Sequence, residues 1–146
     1  MVTITTADPT QIDAIVAFLA ENQLPEAGLR EHGSDLLIAR DGARLVGTAA
    51  LEIYGEDALL RSVAVEASTR GTGLGQALTR ATLERAAARG ARRVFLLTET
   101  APEFFARFGF VDIQRTDVPE TIRGTVEFAS ACPASARVMV RQLTCP

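Results

Sequence analysis

The segment from Val63 to Gly75 restricts the fold more than any other part of this chain. Val63-Ala64-Val65 closes an apolar, β-branched run that suits a buried strand, and Arg70-Gly71-Thr72-Gly73-Leu74-Gly75 opens a stretch of helical spacing. A strand that runs through a glycine-rich turn into a helix leaves successive N–H groups unpaired at the positive end of the helix dipole, which is an anion site. Glycines let a phosphate approach the backbone without meeting a Cβ, and Arg70 adds a cation. The segment lacks the Lys-Ser/Thr of a P-loop, and Gly-x-Gly-x-Gly is not the Gly-x-Gly-x-x-Gly dinucleotide fingerprint. A phosphate-bearing ligand of another kind is expected, although the hexapeptide alone also fits a purely conformational use of glycine.

The flanking sequence supplies the other elements. Val2 to Thr5 alternates as a short strand. Asp8-Pro9 with Gln11 forms a capping-box signal ahead of Ile12, Ile15, Val16 and Leu19, predicting a helix from Pro9 to about Glu21. Pro25 and Gly28 interrupt the next stretch, where a short helical turn is expected. Leu36 to Ala39 and Arg44 to Ile53 flank Asp41-Gly42 as a hairpin, and Gly55-Glu56-Asp57 turns the chain into Ala58 to Val65. From Arg70 the period changes: Leu74, Ala77, Leu78, Ala81 and Ala88 share one helical face up to Gly90. Arg93 to Thr98 reads as a buried strand, Pro102 to Phe108 as a short helix, Phe110 to Ile113 as a strand, Pro119 to Arg123 as a helical turn and Arg137 to Leu143 as a last strand. The order predicts an α/β chain: one domain over residues 1–146, a mixed sheet with helices on both faces.

Charge and cysteine usage narrow the function. A net charge of -3, with arginines scattered along the chain, argues against binding nucleic acid through a basic surface. No apolar run approaches a membrane span, and Met1 to Thr10 has no basic n-region, so neither membrane nor signal peptide is expected. Cys132 and Cys145 lack CxxC spacing and His32 is distant from both, so no metal is expected and a reduced, cytoplasmic location is.

The strand, glycine turn and helix resemble the acyl-CoA motif of the GCN5-related N-acetyltransferase (GNAT) superfamily, a Val-Ala-Val-like triplet followed by Arg/Gln-x-x-Gly-x-Gly/Ala; Arg70, Gly73 and Gly75 match. Phe104-Phe105-Ala106-Arg107-Phe108-Gly109-Phe110 resembles the family's helix-then-Gly-Phe element beside the CoA thiol. The resemblance implies acetyl-CoA as co-substrate, in a mostly antiparallel mixed sheet splayed between the strand ending at Val65 and the one ending near Thr98. It places Val63, Ala64, Val65, Thr98, Phe104 and Phe105 along the pantetheine, and Arg70 to Gly75 around the pyrophosphate. The N–H of Val63 or Val65 would then polarise the thioester carbonyl. Family members often place an acidic tyrosine where this chain has Phe105, so solvent or another hydroxyl must protonate the leaving thiolate.

Glu52 lies near the end of an apolar strand, on the side of Thr48 and Tyr54 by period-2 counting, and is the candidate base; a solvated strand-end carboxylate is the alternative. Arg61, inside the apolar run Leu59 to Val65, needs an anionic partner, either Glu52 or a substrate carboxylate. Val118 to Arg123, Glu127-Phe128 and Cys132 to Ala136 resemble the acetyltransferase domain of N-acetylglutamate synthases and small acetyltransferases of arsenic resistance, which are similar to enzymes acting on arsinothricin. That resemblance implies an acidic amino acid or analogue as substrate, with Arg61, Arg123, Glu52, Tyr54 and Ser135 as candidate contacts and Ser135 beside Glu52 as a catalytic candidate. Ordinary glutamate acetylation, acetylation of protein N-termini and acyl-CoA sensing without turnover remain alternatives, and a homodimer is admissible.

Overall fold

The computed structural model describes residues 2–22, 35–98, 101–125, 128 and 136–143. The expected turn near Pro25 and Gly28, and His32, Ser135, Cys132 and Cys145, lie outside these residues.

Strand β1 (Val2–Thr6) leads to a capped helix start: Asp8 Oδ1 accepts the Thr10 N–H at 2.9 Å, and Gln11 Oε1 accepts the Asp8 N–H at 2.9 Å. A 3-10 turn (Pro9–Gln11) then runs into helix α1 (Ile12–Glu21), which buries Ile15, Phe18 and Leu19. Strands β2 (Asp35–Asp41), β3 (Arg44–Tyr54) and β4 (Asp57–Val65) form the predicted meander. Its first turn is centred one residue later than expected, because Asp41 still pairs with Arg44 and the left-handed position falls to Gly42, φ 64°.

Helix α2 (Leu74–Ala88) begins at Leu74 and not at Arg70, since residues 70–73 form the turn. Its buried side is Leu74, Leu78, Thr79, Thr82, Leu83 and Ala86, whereas Ala88 is exposed. The two threonines join an apolar face because their hydroxyls donate to carbonyls one turn back, Thr79 to Gly75 at 2.8 Å and Thr82 to Leu78 at 2.7 Å. Strand β5 (Arg93–Thr98), helix α3 (Pro102–Ala106), strand β6 (Val111–Asp112), helix α4 (Glu120–Arg123) and strand β7 (Arg137–Gln142) complete the described order. Helix α3 and strand β6 are shorter than the sequence suggests.

The seven strands of the described residues form one sheet, ordered β1-β2-β3-β4-β5-β7-β6. Only β4 and β5 run parallel; the other pairings are antiparallel. Helices α2 and α3 pack with Leu51, Leu60, Val94 and Leu96 on one face, and α1 and α4 with Ile38, Ala50, Leu59 and Phe95 on the other. Close packing of α2 on β3 depends on Gly47, where a Cβ would come within 2.8 Å of Leu78 Cδ1.

The site is positioned by what β4 and β5 fail to do. They pair at Asp57 with Arg93, Ala58 with Val94 and Leu59 with Phe95, and no further. Beyond that level β4 stays with β3 to Val65, and β5 stays with β7 to Thr98. The closed end is fastened by Arg93, whose Nε and Nη2 lie 2.9 and 3.2 Å from the two Asp57 oxygens. The sheet therefore opens into a wedge with β4 and β5 as its walls, the expected splay.

Candidate functional site

The wall on the β4 side is shaped by a bulge. Thr48 pairs with Ala64 and Ala50 with Arg61, so Ser62 and Val63 together oppose Ala49. Ser62 takes a positive φ of 60°, which no other described non-glycine residue does. The extra residue resets the alternation. Ala58 and Leu60 pack on the α2 face, and so do Val63 and Val65, although strict period two would have turned Val63 away. Beyond the bulge, Glu66 donates its N–H to Val46 of β3 at 2.8 Å. Backbone groups of an extended strand alternate sides, so Val65 and Val63 direct their own N–H groups to the opened β5 side.

The glycine turn lies at the mouth of the wedge. Gly73 is the N-cap of α2 with φ 86°, and Gly71 has φ 84°. No side chain caps the helix start and no acidic residue occupies its first turn. A Cβ on Gly71 or Gly73 would meet nothing within 4 Å, so both face open space. The uncapped dipole end and open backbone suit the pyrophosphate of a CoA-type ligand. Arg70 stands beside this cradle with its side chain anchored, Nε to the Val65 carbonyl at 3.1 Å and Nη2 to Asn22 Oδ1 at 3.4 Å. Gly75 differs: a Cβ there would sit in ordinary van der Waals contact with Phe104 Cζ at 3.5 Å and Val65 Cγ2 at 3.6 Å, so this position faces packed side chains and not open space. Thr72 donates its hydroxyl to the Thr69 carbonyl at 2.6 Å, and Leu74 is buried under the turn.

On the α3 side, Phe104 is half-buried against Phe105 and Phe108, with centroids 5.1 and 5.3 Å away. Phe105 turns into the core, edge-on to Phe110 at 5.9 Å, so the two adjacent phenylalanines serve different surroundings. Thr98, at the end of β5, accepts the Ala101 N–H on its hydroxyl at 3.1 Å, which ties the end of β5 to the residue before α3.

Glu52 and Tyr54 share the opposite face of the sheet, as period-2 counting places them, and the pairing of Ala50 with Arg61 brings Arg61 onto the same face. Arg61 Nη1 lies 3.2 Å from Glu52 Oε2, with side-chain exposures of 0% and 2%, so of the two partners expected for Arg61 the structure forms the Glu52 pair. The Tyr54 hydroxyl donates to Glu52 Oε1. Burial, and then the Glu52 contact, push the Tyr54 phenol well above the usual tyrosine range. Arg61 Nε also reaches Ser62 Oγ at 3.3 Å, and Thr48 Oγ1 donates to the Ser62 carbonyl at 2.8 Å. Arg123 is exposed on α4 and pairs loosely with Glu120 at 3.9 Å.

Sequence reasoning used Thr48 only to mark a face of the strand and passed over Ser62 and Asn22. No local signal marks Ser62, because β4 is apolar at even and odd positions alike on both sides of it, Ala58, Leu59 and Leu60 before and Val63, Ala64 and Val65 after. Nothing local marks the contact of Asn22 with Arg70. Among the described residues no group of His, Cys, Asp and Glu is arranged to hold a metal ion, and no helix is long and apolar enough to cross a membrane.

Comparison with known proteins agrees with this geometry. The model of the acetyltransferase (GNAT) domain matches residues 32–112, more than half of the chain. An amino-acid acetyltransferase of Mycobacterium tuberculosis is 42% identical over 77 residues, 51% of this chain and 43% of that protein, so the chain spans less than half the length of that relative. The structure of N-acetylglutamate synthase from Neisseria gonorrhoeae, complexed with coenzyme A and N-acetyl-glutamate, superposes with a TM-score of 0.83 at 25% identity, over 99% of this chain and 36% of that one. A Mycobacterium tuberculosis protein in complex with CoA and NLQ shares the fold along nearly its whole length, with a TM-score of 0.80 at 24% identity, 97% of this chain and 99% of that one. The splayed β4–β5 wedge, its bulge and the open glycine turn are thus accompanied by a domain-level match, and the chain belongs to the GNAT acetyltransferase family.

Proposed function

We propose that this chain transfers the acetyl group of acetyl-CoA to the α-amine of a small acidic amino acid, glutamate or an analogue such as arsinothricin. One observation carries the catalytic part: the upper halves of β4 and β5 do not pair with each other, and β4 leads to an uncapped helix start whose glycines face open space. The amino-acid part draws support from the relatives, an amino-acid acetyltransferase and an N-acetylglutamate synthase. The tie to arsenic resistance follows from the tail resemblance alone.

Acetyl-CoA supplies an activated thioester; the chain supplies binding and orientation. The backbone from Gly71 to Gly75 and the Arg70 guanidinium hold the pyrophosphate, and Val63, Ala64, Val65, Thr98 and Phe104 line the wedge. An N–H from Val63 or Val65 stands against the carbonyl oxygen, where negative charge develops as the amine attacks. The amine reacts once it has lost a proton. Glu52 is a poor place to leave it, being buried with one oxygen engaged by Tyr54 and the other by Arg61, so the proton passes to water. With Arg61 committed to Glu52, Arg123 is the other of the two candidate cations and is assigned to the substrate's acidic group.

Purified protein with acetyl-CoA and a panel of amines, read by released CoA thiol, tests this proposal. The panel holds glutamate, aspartate, arsinothricin, neutral amino acids and a peptide with a free N-terminus. Faster turnover of acidic amino acids is expected, and Arg123→Ala raises their KM. Turnover confined to the peptide overturns the substrate class. CoA binding without turnover of any amine overturns the enzymatic role in favour of a sensor.

A further inference from the structure

The bulge in β4 is held by more than its own backbone. A serine in the left-handed region costs about 1–2 kcal/mol relative to an extended one, so Ser62 stays there only because its neighbours hold it. Three contacts act in series. Thr48 Oγ1 donates to the Ser62 carbonyl at 2.8 Å, Arg61 Nε donates to Ser62 Oγ at 3.3 Å, and Arg61 Nη1 donates to Glu52 Oε2 at 3.2 Å. Glu52 in turn accepts the Tyr54 hydroxyl. Thr48, Glu52, Arg61 and Ser62 are all buried, in a part of the sheet otherwise built from Leu51, Leu59, Leu60 and Ala64. Polar groups are costly to bury, and this series ends on the peptide that precedes Val63.

We propose that this buried polar chain is a positioning device for the Val63 N–H, with Thr48 and Ser62 as its positioning residues and the Arg61–Glu52 pair as its anchor. Resting on the placement of acetyl-CoA in the wedge, it assigns the carbonyl contact to Val63 in preference to Val65. The bulge interposes one residue between Arg61, which pairs regularly with Ala50, and Val63, whose N–H it turns toward β5. Loosening the Ser62 peptide frees that N–H to swing away from the carbonyl oxygen, and the hydrogen bond lengthens while the pyrophosphate cradle, more than one turn of chain away, is unaltered. The device selects how strongly bound thioester is polarised, and leaves how tightly it is held almost unchanged.

Isotope-edited infrared spectroscopy of [1-13C]acetyl-CoA bound to the protein reads this directly, with no acceptor amine present. The wild-type protein lowers the thioester carbonyl stretch relative to free acetyl-CoA. Thr48→Val removes the hydroxyl at nearly constant shape, and Ser62→Gly removes both the tether and the reason for strain. Each variant returns the stretch at least halfway to the free value while its acetyl-CoA Kd changes by less than about threefold. Ser62→Gly does so without a fall in Tm, which separates positioning from stability. Thr82→Val deletes a buried hydroxyl–carbonyl bond of similar length in α2 and leaves the stretch at its wild-type value. Should acetyl-CoA fail to bind the wild-type protein, the proposed function fails and this inference with it. Binding with a lowered stretch that both variants preserve overturns the inference alone.

Discussion

Truncating Arg61 asks whether its charge belongs to the sheet or to the substrate. The guanidinium and the Glu52 carboxylate are 3.2 Å apart with side-chain exposures of 0% and 2%, so neither is rehydrated when the other is removed. Arg61→Ala leaves a buried carboxylate with a vacated volume beside it, and losing one partner of a buried pair costs about 3–5 kcal/mol. An unfolding entropy of about 2.1 cal/mol/K per residue amounts to about 0.3 kcal/mol/K for a 146-residue chain, so Tm should fall by about 10–16 °C. Glu52→Gln keeps the shape and the acceptor for Tyr54 but strands the guanidinium, and its Tm should fall comparably. The double variant Glu52→Gln/Arg61→Met has no charge left to strand, so it should be more stable than the two single losses imply, by at least about 1.5 kcal/mol. Calorimetry on the four proteins, with amine kinetics on the same samples, completes the test. Single variants that each lose less than about 3 °C, or a strictly additive double variant, refute the pairing. A steep rise in KM for acidic amino acids at full stability would instead return Arg61 to substrate recognition.

Saturation with CoA at about 100 times its Kd should stabilise the fold by about 2.7 kcal/mol, a rise of about 9 °C in Tm; a flat thermal-shift series would remove the cradle. Gly73→Val places a branched side chain at φ 86°, which costs about 1–3 kcal/mol in strain and also obstructs the phosphate. Gly90→Val, at the same φ beyond the other end of α2, should lose similar stability and keep its CoA affinity by isothermal titration; normal affinity in Gly73→Val would place the pyrophosphate elsewhere. Tyr54 is the only tyrosine and there is no tryptophan, so absorbance at 295 nm follows its phenol alone. Its folded pKa is raised above the ordinary 10.0, so the protonated phenol's contribution to stability is fully present below pH 10.0 and is lost as pH rises toward the folded value. Phenolate should therefore form later in the folded protein than in the unfolded one, and earlier in Glu52→Gln than in wild type; a midpoint of 10.0 in the folded protein contradicts the Glu52 contact.

Much of this protein is legible from the chain itself, because the relevant forces act over a few residues. Asp8, Pro9 and Gln11 cap the 3-10 turn that leads into α1 wherever that helix packs, Gly90 ends α2 by taking φ 86°, and the glycines after Val65 produce an open helix start whatever surrounds them. The element order and the face shared by Thr48, Glu52 and Tyr54 follow from such local rules and from period two, whereas the splay between β4 and β5 was expected from the family resemblance. Other features were settled only by tertiary contact. Thr79 and Thr82 entered the core and Ala88 left it, because the underlying sheet decides which stripe of α2 is covered. Phe104 and Phe105 look alike in sequence, yet one packs beside Gly75 and the other on Phe110, a division made by the direction in which α3 leaves β5. The partner of Arg61 was open between Glu52 and a ligand until β3 and β4 were set in register, and the bulge at Ser62 then fixed which amides look into the wedge. Caps, turns and alternation are written in neighbouring residues, whereas register, splay and ion pairing depend on residues brought together from distant parts of the chain, where the alternatives differ by only a few kcal/mol of packing and desolvation.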